Sequence, residues 1–177
     1  MNRCLLVTSI ALSCLAAANA QVNMPETRAD NPLSSELKQA YNTVKNNLLK
    51  TADLMPEENY SFKPTPGIRS FGEVINHAAE SQMRTCSVVL GGSAPSSATS
   101  RTSKSELVAA LNAAFAQCDK AYDTLTDADA SQMIKTPRGE RSKLGALLGN
   151  AIHDHEQYGI LTVYLRLKGI VPPSSQH

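Results

Sequence analysis

Tryptophan is absent from this chain, phenylalanine occurs three times, and aromatic residues make up only 5% of 177. Proteins that hold single-stranded nucleic acid stack bases on aromatic side chains along a basic groove. This chain has neither feature: its formal net charge is +1 and its lysines and arginines form no block. The same balance argues against an anionic membrane surface as a partner. No P-loop, GxSxG, HExxH or dinucleotide fingerprint occurs, which removes the commonest sequence routes to nucleotide, serine-hydrolase and zinc-protease chemistry. There is no CxxC pair for thioredoxin-like exchange. The acidic residues are scattered, with no pair placed for glycoside hydrolysis. No run alternates as a strand does, and no internal repeat stands out. After residue 20 no stretch is long and apolar enough to span a bilayer.

What is present begins with MNRCLLVTSIALSCLAAANA at residues 1–20. A short basic start at Arg3, an apolar run from Leu5 to Ala17 and a small-x-small site at Ala18-Asn19-Ala20 predict a secretory signal peptide. Cys14 follows Ala11-Leu12-Ser13, a poor match to a lipoprotein signal. The expected product is an exported protein, periplasmic or secreted, of residues 21–177. That length suits one domain with a sizeable core. Losing Arg3 leaves acidic and basic side chains equal in number. Cys4 and Cys14 leave with the signal, and Cys86 and Cys118 remain. Both sit on apolar helix faces. An oxidising compartment allows a disulfide between them, and two separately buried small side chains are the alternative.

Four amphipathic helices can be read in order. After a polar lead-in at 21–32, Leu33, Leu37, Ala40, Tyr41, Val44, Leu48, Ala52 and Met55 recur at three- and four-residue steps. Asn31 and Pro32 suit the cap and first position. Pro64, Pro66 and Gly67 forbid helix in the connection 56–69, where Tyr60 and Phe62 are expected to pin the loop to the core. Ser70 and Glu73 form a capping box for a second helix reaching about Leu90. Its apolar side holds Phe71, Ile75, Ala79, Gln82, Cys86 and Val89; His77 lies on the other side, with Glu80 and Arg84. A small-residue linker, GGSAPSSATSR, leads to a second capping box, Ser103 and Glu106. The third helix then carries Leu107, Leu111, Ala114, Cys118, Tyr122 and Leu125. A polar stretch ending in the turn TPRGE precedes the longest element, Arg141–Lys168, about 40 Å if helical throughout. This last helix is apolar on two sides, so it is expected to be central. Gly145, Ala146 and Gly149 leave room one and two turns before His153. The predicted fold is all-α: a four-helix bundle over 33–175 with long connections after helices 1 and 2.

His153 is the strongest candidate for chemistry, because neutral imidazole is a common metal ligand. Residues four apart on a helix project side by side, and the residue at that spacing is Gln157, a poorer ligand than histidine. Glu156 could serve instead as an oxygen ligand or as a base on bound water. His155 lies about 200° round the helix from His153 and cannot share its site. His77 joins the site only if its helix neighbours the last one.

Two segments, MPEENYSFKPTPGIRSFGEVINHAAE at 55–80 and TPRGERSKLGALLGNAIHDHEQYGILTVYLRLKGIVPPSS at 136–175, together resemble the DinB-like family of four-helix-bundle proteins. The likeness runs from about Leu33 to Ser175. It implies a divalent metal, often zinc or nickel, held by one histidine on the second helix and an HxxxH pair on the last. By position His77 and His153 match the first two ligands, and the third falls on Gln157. Taken with the expected signal peptide, the resemblance implies an exported divalent-metal-binding, hydrolase- or transferase-like protein with a degenerate His-His-Gln site acting on a small molecule. Glu80 and Arg84 would be nearby polar support. A catalytically inactive bundle that binds a small ligand or a protein is the alternative. Pairing of two bundles into a homodimer is also expected of such folds.

Overall fold

The computed structural model describes residues 30–95 and 100–176. The expected signal peptide and most of the lead-in lie outside them. Helices α1 (Pro32–Leu54), α2 (Phe71–Val89), α3 (Lys104–Thr124) and α4 (Lys143–Leu167) form the bundle. A hairpin of two short strands, β1 (Met133–Thr136) and β2 (Gly139–Ser142), precedes α4.

Each helix forms where its apolar residues recur. In α1 the buried side is Leu37, Tyr41, Val44, Leu48 and Ala52; Leu33 and Ala40 are exposed. Pro32 opens the helix as expected, but Asn31 does not cap it with its own side chain. The cap comes from the far end of α3. Asp127 accepts hydrogen bonds from the backbone N–H groups of Leu33 and Ser34, at 3.0 and 2.8 Å, while Asn31 accepts one from the Asp127 N–H. A carboxylate at a helix N-terminus both satisfies free donors and opposes the positive end of the helix dipole.

Both capping boxes form, at Ser70/Glu73 and Ser103/Glu106. The Ser70 N–H bond, with Lys63 3.0 Å away, holds the Glu73 carboxyl down to about 2. A depressed acid stabilises the fold above its ordinary value and loses that contribution on protonation. The stability difference between the native chain and Glu73→Gln should therefore be constant above about pH 4.5 and shrink between there and about pH 2. Urea unfolding at a series of pH values measures it; a difference that does not change over that window would remove the box as its cause.

The helices pack in the ring α1–α3–α2–α4. Gly72 lies against Leu107 at one end of the α2–α3 contact, and Cys86 is bonded to Cys118 further along. Both helices therefore run the same way. The long connection 55–70 is tied down as expected. Tyr60 is buried and donates to the Ala52 carbonyl at 2.6 Å, and Phe62 packs on the core.

The hairpin corrects the expectation that no strand occurs. It pairs Met133 with Ser142, Ile134 with Arg141, Lys135 with Glu140 and Thr136 with Gly139. Four-residue strands that stay largely exposed carry too few apolar positions to show alternation. Gly139 follows the turn at φ +108°, a conformation that side-chain-bearing residues rarely adopt.

The two apolar sides of α4 also divide differently from expectation. The buried arc holds Ala146, Leu147, Asn150, Ala151, Asp154, Gln157, Tyr158, Leu161, Tyr164 and Leu165. Leu148, Ile152, Ile160, Val163 and Leu167 are exposed. At 100° per residue the centre of the buried arc lies about a quarter turn from His153, not opposite it. One apolar side is core, and the other faces outward among the described residues.

Candidate functional site

Helices α2 and α4 are neighbours, and this brings His77 to His153. Their Nε2 atoms are 3.0 Å apart and the rings meet edge to face. Each histidine is half-buried at the edge of its helix. A contact this short between neutral imidazoles puts a proton on one Nε2 and a lone pair on the other. Burial, with Arg69, His153 and Arg84 nearby, lowers the His77 pKa; Glu80 acts weakly the other way.

Behind the pair is a carboxylate that the sequence reading passed over. Asp154 is fully buried, and its Oδ2 accepts a hydrogen bond from the Gln82 side-chain amide. Burial pushes its carboxyl up to about 6, against the opposing influence of His153 and Gln82. Its Oδ1 has no hydrogen-bond partner and lies 3.9 Å from His153 Nδ1, which also has none. A signal for this residue existed. Leu147 and Leu161 lie seven positions to either side, and Ala151 and Tyr158 three and four away, so Asp154 occupies the middle of an apolar stripe. A buried aspartate in that position needs a partner on another helix.

Gln157 is buried as well, and its Oε1 has no partner. Glu156 is exposed. This candidate base lies on the outer side of α4, three positions from His153, with no hydrogen bond or ion pair among the described residues. His155 is likewise exposed. Glu80 accepts a hydrogen bond from Asn76 at 3.0 Å. Cys86 and Cys118 are joined by a disulfide that links α2 to α3, settling the alternatives left by the sequence. Its sulfurs face Gln82 and Asn150, the second of which lies in the same buried arc as Asp154.

The donor set around the histidines is neutral: two imidazole nitrogens that meet and an unpartnered amide oxygen one turn further along α4. Among the described residues, no three His, Cys, Asp or Glu side chains group to hold a cation. The residues present nevertheless fit a divalent transition metal. Imidazole suits zinc and nickel. A ligating histidine normally offers its other ring nitrogen to a carboxylate; Asp154 Oδ1 lies 3.9 Å from His153 Nδ1, near it but beyond hydrogen-bond reach. His153 also lines a cavity of about 180 Å³ that extends to the hairpin and gives access from outside.

The family model described as the DinB superfamily matches residues 40–161. Among solved structures, the chain is similar to a DinB-like protein from Bacillus subtilis, at 19% identity and a TM-score of 0.66, covering 80% of this chain and 99% of that one. It is similar also to a DinB-like protein from Bacillus cereus, at 17% identity and a TM-score of 0.65, covering 78% and 95%. At such identities the likeness is one of fold. No curated relative matches the chain.

Proposed function

The chain belongs to the DinB superfamily, and from that premise we propose that it is an exported bundle holding a divalent metal, zinc or nickel, between His77 and His153. The observation that carries this reading is the 3.0 Å approach of the two Nε2 atoms on neighbouring helices. Gln157 offers its buried, unpartnered Oε1 as the third protein donor. Asp154 Oδ1, 3.9 Å from His153 Nδ1, would orient that ring on a closer approach and leave Nε2 to ligate. Such a metal supplies Lewis acidity, which supports a hydrolase- or transferase-like role toward a small molecule entering by the cavity. Export is supported by the signal-like residues 1–20 and by the Cys86–Cys118 bridge, since disulfides persist in oxidising compartments.

A second reading has a specific feature in its favour. An amide where the family's third histidine would stand weakens metal binding, and the bundle then acts as an inactive small-ligand or protein-binding module. Elemental analysis of residues 21–177, purified without affinity tag or chelator, separates the two. Near one equivalent of transition metal, lost in both His77→Ala and His153→Ala, is the expected result. No metal in the native chain, even after incubation with zinc and nickel, would overturn the first reading in favour of the second.

A further inference from the structure

The cavity beside His153 is walled by α2, the hairpin and the start of α4, and its charged lining is of one sign. Arg84 comes from α2, Arg138 from the hairpin turn and Arg141 from β2; no carboxylate lines it. Among the described residues no acidic side chain pairs with any of the three. Arg141 lies across α4, donating from Nη2 to the Gly145 carbonyl at 2.8 Å. It also passes over Gly149, where a Cβ would sit 3.2 Å from Nη1, tighter than an ordinary contact. Among the described residues the side chains of Arg84 and Arg138 make no hydrogen bond. Arg138 and Arg141 are exposed and Arg84 is half-buried, so solvent screens part of the repulsion among these like charges and a bound anion would relieve the rest.

The floor of the cavity is unsatisfied too. Asn150 is buried and lines it. The Tyr122 hydroxyl has one proton, and both the Leu147 carbonyl at 2.7 Å and the Asn150 amide at 3.1 Å contact it. Whichever way the amide is turned, one polar end is left buried without a partner in the fold. Thr85 and Thr136 also line the wall; the Thr136 hydroxyl is already engaged, donating to the Gly139 carbonyl at 2.7 Å. Buried polar groups are normally partnered, so a bound group is what this lining calls for.

We propose that the cavity is an oxyanion site that takes a small organic anion through its carboxylate or phosphate group, bound by Arg84, Arg138 and Arg141. Guanidinium forks match both groups in geometry and charge. The volume of about 180 Å³ is below the range usual for drug-sized ligands, which favours a small metabolite over a nucleotide. The proposal does not depend on metal at the histidine pair.

The test is calorimetric titration of chelator-treated protein, residues 21–177, at low ionic strength with inorganic phosphate and, separately, succinate. One saturable site is expected for at least one of them, and the tighter of the two identifies which group is preferred. Arg84→Gln and Arg138→Gln should each weaken it tenfold or more. Lys120→Gln, the same charge change at an exposed lysine of α3, should weaken it no more than twofold. Arg138 is exposed in a turn, so its variant keeps the fold and the test remains decisive if Arg84→Gln does not. No saturable binding of either anion, or equal weakening by the lysine variant, would overturn the site. Because metal is removed throughout, that failure leaves the histidine reading standing, and binding retained in His77→Ala shows the two are separate.

Discussion

Breaking the Cys86–Cys118 bridge should lower the stability of residues 21–177 by about 4 kcal/mol. The cysteines are 32 residues apart, and closing a loop of that size removes roughly this much conformational entropy from the unfolded chain. For a domain of this length each kcal/mol moves the melting temperature by roughly 2–4 °C, so a fall on the order of 10 °C is expected. Both cysteines are fully buried, and reductant added to the folded protein should reach them slowly. The clean comparison reduces the chain in denaturant, refolds it with thiols and follows both forms by thermal circular dichroism. This leaves side-chain volume nearly unchanged, whereas a double alanine variant would add a packing loss. A difference below about 2 °C would show that the parallel α2–α3 contact holds without its staple.

Gln157→His should raise zinc affinity by about a hundredfold or more, about 2.8 kcal/mol. The substitution replaces an amide oxygen with an imidazole nitrogen, a much better ligand for zinc or nickel. It does so one turn from His153, where side chains four apart project together. Gln157 is 4% exposed and its Oε1 has no partner, so the change removes no hydrogen bond from that oxygen. Competition with a chromophoric chelator gives the ratio directly. An unchanged affinity in a folded variant would mean that residue 157 does not face the metal and that the His77–His153 contact is a hydrogen-bonded pair. A rise that His77→Ala abolishes would tie all three residues to one site.

The helices and their ends were legible because their causes are local. Apolar residues at three- and four-residue steps, serine caps with glutamate three residues on, and prolines in the 56–69 connection act within a turn or two of chain. His153 and Gln157 could be linked by spacing alone. His77 could not: the polar residues around it on α2 suit solvent as well as a cleft, and only the resemblance to a known family drew it in. Asp154 is not marked by its nearness to His153, because one step along a helix is a turn of 100°; its place in the apolar stripe is what buries it. Glu156, three positions from His153, lies on the side that packing leaves outside.

The sequence by itself determined four helices, the capping boxes that open two of them, a small-residue composition between residues 91 and 101, and a small set of polar residues on the last helix that needed a purpose. Tertiary structure alone decided how far each helix is rotated about its axis, and therefore which of two apolar sides of α4 is core. It set the parallel run of α2 and α3, and with it the cysteine pairing. It brought the cap of α1 from Asp127, just past the end of α3, and it set Arg138 and Arg141 opposite Arg84 of α2 by way of a hairpin too short to show in the pattern. These outcomes are sums over contacts between residues far apart in the chain, and no window of sequence contains both partners.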